Sequence, residues 1–170
     1  AFEYISTYHP GDIDHLSSMY MNYMQALAEY GDRKKAIEIR QWVQENINQL
    51  PDPLYQFRLF LAEASFLRSF PNTTDLEKLK NEQSNFLSQQ STGIQNRYAN
   101  YTFYTLDAIG YGFLKIKNYE NAKVVFEEMR SKSQNELNSM KAESNLAAFY
   151  IQKKQFYYLV LQKGNRLRRQ

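Results

Sequence analysis

A chain of 170 residues that is 43% hydrophobic, with 14 Tyr and 11 Phe, can bury one good core and is short for two. Its charged residues, 23% of the chain with a net charge of +3, are mixed in sign, which excludes a disordered chain and argues against a dedicated nucleic-acid binder. The absence of cysteine excludes disulfides, thiolate metal sites and cysteine nucleophiles, and leaves the compartment open between a favoured cytoplasm and the periplasm.

In chain order, Phe2, Tyr4 and Ile5 before His9-Pro10-Gly11 read as the tail of an earlier helix ending in a proline turn. Asp12 or Asp14 can cap a helix running to about Tyr30, Gly31 can close it, and Asp32 can cap the next. Ala36, Ile39, Val43, Ile47 and Leu50 then recur at spacings of three and four, the stripe of a second helix. Asp52-Pro53 reads as a cap followed by proline in the first turn, and Phe57, Phe60, Leu61, Ala64 and Leu67 give the third helix its apolar face. The stretch Ser69 to Thr73 reads as a long loop. Thr74-Asp-Leu-Glu77, Thr92-Gly-Ile-Gln95 and Ser133-Gln-Asn-Glu136 have the form of capping boxes. About eight helices result, paired as antiparallel hairpins over about 12–50, 52–90, 93–134 and 136–168. No segment shows strand alternation, and no apolar run approaches the ~20 residues of a membrane helix.

Helical hairpins in series invite a test for internal repetition. The clearest unit carries Leu106, Ile109, Gly110 and Phe113 on one helix, then Tyr119, Ala122 and Phe126 on the next. A glycine inside a helix costs about 1 kcal/mol against alanine, and a close crossing of two helices is a physical reason to accept that. This pattern resembles the tetratricopeptide repeat, in which a small residue on the first helix meets a small residue twelve positions on. The match is best over residues 103–136 and weaker at 17–50, where Met24, Leu27, Gly31-Asp32 and Ala36 fit but Arg33 and Arg40 replace aromatics. It is weaker again at 140–170, where Leu146-Ala147, Tyr150 and Phe156 fit. The unit over 51–92 has the hairpin without the signature.

The resemblance implies an all-α, right-handed superhelix, a single tetratricopeptide-like α-solenoid domain over 1–170. The opening Ala-Phe-Glu and the closing Leu-Arg-Arg-Gln lead us to expect a piece of a larger regulatory protein. First helices would line a concave groove that holds a protein or peptide partner. In the best repeat the groove positions are Tyr104, Asp107, Tyr111, Leu114 and Lys115. The first unit offers Ser18, Met21, Gln25, Ala28 and Glu29, the last Lys141, Ser144, Ala148 and Gln152. Taking Leu61 as the packed position of the second unit adds Tyr55, Arg58 and Phe66. Tyrosine supplies rigid apolar area with a hydroxyl, and Arg or Lys can hold a carboxylate.

Other chemistry is weakly signalled. His9, Asp12, Asp14 and His15 could ligate a metal ion, but Asp and His are ordinary at a turn and helix cap, so no metal or cofactor is expected. These are the only histidines, which leaves little scope for a general base and points away from an enzyme. The acids fall on predicted polar faces, as in Glu127-Glu128 beside Arg130, and none lies in an apolar pocket that would raise its pKa. Gly110-Tyr-Gly112 lacks the strand that a phosphate loop requires. Asn72-Thr-Thr74 and Asn100-Tyr-Thr102 are glycosylation sequons, which carry weight only in a secretory setting.

Two alternatives to a peptide scaffold remain. RNA binding by a helical repeat would need matched polar positions and a basic groove, and neither is evident. A structural homo-oligomer could use terminal repeats through Phe156, Tyr157 and Tyr158. The basic tail with Lys163, Arg166, Arg168 and Arg169 would suit a membrane-attached sensor, with the membrane reached only by segments outside this chain.

Overall fold

The computed structural model describes residues 12–30, 32–46 and 52–167, apart from the side chains at 13, 14, 17, 21, 25, 28–30, 42–46 and 158–167. Among the described residues every regular element is a helix. They are α1 (Ile13–Tyr30), α2 (Arg33–Asn46), α3 (Pro53–Ser69), α4 (Thr73–Ser88), α5 (Thr92–Arg97), α6 (Ala99–Lys115), α7 (Tyr119–Ser131) and α8 (Glu136–Leu167). The expected readings at 1–11, Gly31, Ile47 and Leu50, and at the side chains of Val43, Gln25, Glu29, Met21 and Ala28, lie outside the described residues.

The helix starts follow from short polar side chains, in part at unexpected positions. Asp12 accepts from the His15 amide at 3.3 Å, Asp32 from Lys35 at 3.0 Å and Asp52 from Leu54 at 2.8 Å, with Pro53 in the first turn. At α4 the cap is Asn72, whose Oδ1 accepts from Thr74 and Asp75. The expected box at Thr74 begins two residues too late, because Phe70-Pro71-Asn72 is the entire connection. Ser91 rather than Thr92 caps α5, and Asn135 rather than Ser133 caps α8 at 2.8 Å. Ser133 is spent on the carbonyl of Arg130 at the end of α7.

The third expected hairpin is not one continuous first helix from about 93. It breaks at Tyr98, which ends α5 and starts α6 with no side-chain cap. The Tyr98 ring packs 5.1 Å from Phe57 and 6.4 Å from Tyr101. Gln95 meanwhile donates to the carbonyls of Leu87 and Gln90, satisfying the end of α4. These two anchors hold α5 against α3 and the end of α4, and α6 follows its own axis.

Helix α1 packs on α3 and α2, α3 on α6 and α4, α6 on α4 and α7, and α7 on α8. Helix α6 lies at the centre, and its two glycines show why. A Cβ on Gly110 would overlap Cε1 of Phe126 on α7. One on Gly112 would sit 2.8 Å from Leu76 on α4 and 3.3 Å from the Leu67 carbonyl on α3. At ~100° per residue these positions lie on opposite sides of the helix, so α6 is closely approached from both. The expected small-to-small contact is altered in one respect: Ala122 is fully buried, but the side chain against Gly110 is Phe126, one turn further on.

The α6–α7 reversal needs three residues. Lys117 adopts φ 62°, while the Lys117 amide donates to Leu114 at 3.0 Å and Asn118 to Phe113 at 2.9 Å. Two orphan carbonyls of α6 are thereby satisfied in a Schellman turn. On the far side α4 and α7 are tied by Asn121 to Glu77 at 2.8 Å and Lys80 to Glu128 at 3.2 Å.

Candidate functional site

A continuous run of polar side chains links α3, α6 and α8. Lys141 of α8 places its ammonium 4.6 Å from the Tyr104 ring centre and 3.0 Å from Oδ2 of Asp107. Asn145 donates through Nδ2 to the other Asp107 oxygen at 2.6 Å, and its Oδ1 accepts from the Tyr111 hydroxyl at 3.0 Å. The guanidinium of Arg68 on α3 lies 4.8 Å over the Tyr111 ring. Lys115 donates to the Ser69 carbonyl at 2.7 Å.

Asp107 is 4% exposed, and a buried carboxylate is strongly penalised unless paired. Here both oxygens are used, one by an ammonium and one by an amide. Burial pushes the Tyr111 hydroxyl above its ordinary pKa, Asp107 adds to the rise and Arg68 opposes it. The phenol therefore stays a proton donor at neutral pH and holds Asn145 in one orientation.

At the α3 end of this run lies a depression of about 430 Å³ lined by Arg68, Ser69, Tyr111, Leu114, Lys115 and Gln152. It has two cations at its mouth and no carboxylate in its lining. Lys115 is exposed there and Tyr111 is half-buried, while Tyr104 is exposed at the run's other end beside Lys141. Two expected groove positions differ: Asp107 and Leu114 are buried, because α8 crosses close enough to cover that side of α6. Lys141 is half-buried at the run's other end, with Ser144 exposed one turn away; Ala148 is half-buried and Gln152 exposed. Tyr55 and Arg58 are half-buried on α3, ten or more residues before Arg68 and hence ~15 Å away along that helix. Ser18 is half-buried on α1. Phe66 is 4% exposed, a core residue rather than a wall, because Ala62 rather than Leu61 is the fully packed position of α3.

Arg68, Ser69 and Asn145 were missed by sequence. Asn145 had a signal, a polar residue at a buried spacing between Ala142 and Phe149. Arg68 had none, because α3 carries buried residues on almost every side and shows no clear polar face.

That same property overturns the expectation about acids. Glu63 is 9% exposed on α3 and pairs with Nε of Arg40 at 2.6 Å. Burial pushes its carboxyl up to about 7, with Arg40 opposing the rise. Beside it Tyr20 is fully buried, and its hydroxyl has no hydrogen-bond partner among the described residues. Arg40 also covers the Phe66 ring at 5.7 Å. The trio joins α1, α2 and α3 within the core.

At the start of α1, His15 Nδ1 lies 2.9 Å from Asp12, while His9 and the Asp14 side chain lie outside the described residues. No group of three potential metal ligands comes together among the described residues. No described helix is long and apolar enough to cross a membrane. Comparison with protein-family models, curated proteins and solved structures found no match.

Proposed function

We propose that this chain is a protein- or peptide-binding scaffold, a sensor module of a larger regulatory or signalling protein. Its helices would coil as a right-handed tetratricopeptide-like superhelix, with α1, α3, α6 and α8 as first helices along the concave side. The observation that carries this reading is the interlocked run from Tyr104 through Lys141, Asp107, Asn145 and Tyr111 to Arg68. It holds aromatic and cationic side chains from three helices in fixed orientation, with an open depression at its α3 end, the preorganisation that lowers the entropic penalty of binding. With Asp107 neutralised by Lys141, the depression presents Arg68 and Lys115 as its charges, and these suit a carboxylate of the partner. Tyr104, at the far end of the run beside Lys141, adds a rigid apolar anchor.

The test is selection from a displayed peptide library on the wild type and on Arg68→Glu/Lys115→Glu. Both side chains are exposed, so the variant should keep its melting temperature. Acid-containing peptides enriched on the wild type should lose at least tenfold in affinity on the variant. Equal enrichment on both proteins would move the site elsewhere. Tyr111→Ala is a poor probe, since that ring also meets Phe126 at 5.5 Å and supports Asn145.

A further inference from the structure

A second cavity, of about 250 Å³, lies where the connection from α7 to α8 passes the ends of α4 and α5. Its volume holds about eight waters at ~30 Å³ each. Leu87 and Thr102 are its buried walls, and the rest of its lining is exposed or half-buried. It shares no residue with the depression at Arg68 and Lys115. Along α6 the nine residues from Thr102 to Tyr111 hold the two ~13 Å apart.

Thr102 is 6% exposed, and its hydroxyl has no hydrogen-bond partner among the described residues. A threonine within a helix can donate to a carbonyl one turn back, as Thr105 does to Tyr101 at 2.8 Å. The carbonyl in that position for Thr102 belongs to Tyr98, and it already accepts the amides of Tyr101 and Thr102 at the helix break. Thr102 therefore brings an uncommitted proton and lone pairs to the cavity wall. The other polar groups of the lining are partly committed. Gln95 spends its nitrogen on the carbonyls of Leu87 and Gln90 and keeps its oxygen. Ser131 and Ser133 donate to the carbonyls of Glu128 and Arg130 and keep their lone pairs. Gln134 donates to Asn96 at 3.3 Å, leaving the Gln134 oxygen and the Asn96 nitrogen.

What remains is a cavity rich in acceptors. A carboxylate has no proton to give them, and the carbonyl ends of α4 and α7, which finish here, disfavour an anion. A cation finds no carboxylate among the described lining residues and meets the Lys132 ammonium. No aromatic ring is among them either, so a nucleobase has nothing to stack on. Hydroxyls both donate and accept, and several on one small frame reproduce the bonds of the waters they replace. We propose that this cavity binds a small neutral polyol, about the size of one sugar ring. Its hydroxyls would donate to Gln95, Gln134 and the two serines and engage Thr102 at the wall. Leu87 and Ala99 supply apolar surface for its carbon frame.

The test titrates the full chain with glucose, myo-inositol, sorbitol and inorganic phosphate, followed by the NMR signals of its side-chain amides. At least one polyol should shift the signals of Gln95, Asn96 and Gln134 and saturate at millimolar concentration. Thr102→Val should weaken that binding at least tenfold while holding or raising the melting temperature, because the hydroxyl it removes has no partner within the chain. Gln134→Ala, at an exposed position, should weaken it with the melting temperature unchanged. Arg68→Glu/Lys115→Glu should bind the polyol as the wild type does, which separates this cavity from the peptide site proposed above. The proposal is overturned if no polyol gives a saturable shift, or if Thr102→Val and Gln134→Ala both bind as the wild type does. Phosphate that saturates while the polyols stay silent also overturns it, in favour of an anion site at Lys132.

Discussion

At the residue scale, Glu63 shows how burial can outweigh an ion pair. Arg40 at 2.6 Å stabilises the charged form, yet the carboxyl is raised from 4.5 to about 7, because desolvation is the larger effect. The folded state therefore binds the Glu63 proton more tightly than the unfolded chain does. Its contribution to stability is fully present below pH 4.5 and is lost as the pH rises to about 7. A rise of this size corresponds to about 3 kcal/mol. In Glu63→Gln the titration disappears while shape and polarity remain. Urea unfolding of both proteins at acid and mildly alkaline pH should show the wild type losing about 3 kcal/mol relative to the variant across that window. Parallel stability curves would mean that Glu63 is solvated in the folded protein.

The central crossing belongs to the scale of elements. Gly110→Ala would gain about 1 kcal/mol of helix propensity, but the new methyl overlaps the Phe126 ring, and overpacking of this kind costs about 1–3 kcal/mol. We expect a net loss of up to about 2 kcal/mol, largely recovered in the double variant Gly110→Ala/Phe126→Leu. Denaturant midpoints of the two single variants and the double variant form the cycle, and strict additivity would show that the two side chains do not meet. This crossing was legible in the sequence, because a glycine in a strong helical pattern needs a reason. The starts of α2 and α3 were legible too, each from one aspartate at the right offset, and that of α1 to within the choice between Asp12 and Asp14. The Tyr98 break was not. It depends on Phe57, more than forty residues earlier, and no local propensity encodes that contact. The register of α3 was hidden for a different reason: a helix covered on most sides has no polar face from which to count.

At the scale of the whole molecule, the candidate site was legible in part. Counting from Gly110 located Tyr104, Asp107, Tyr111 and Lys115 on one side of α6, and the later repeat supplied Lys141. What counting could not supply was depth, since Asp107 is buried only because α8 brings Asn145 and Lys141 over it. This polar bridge is the principal tie between α6 and α8, whose backbones otherwise make slight contact, α8 resting mainly on α7. A helix joined to the rest of a fold through few contacts can open by itself. Asn145→Ala would remove the amide shared by Asp107 and Tyr111. Leaving such buried groups unsatisfied costs about 1–3 kcal/mol. The loss should be local. Hydrogen exchange should quicken at the buried α8 positions Ala142 and Phe149, while amides in α3 near Phe57 and Leu67 keep their protection. Equal acceleration in α3 and α8 would instead show that the chain opens as one unit, with the polar bridge contributing to the stability of the whole and not to the docking of one helix.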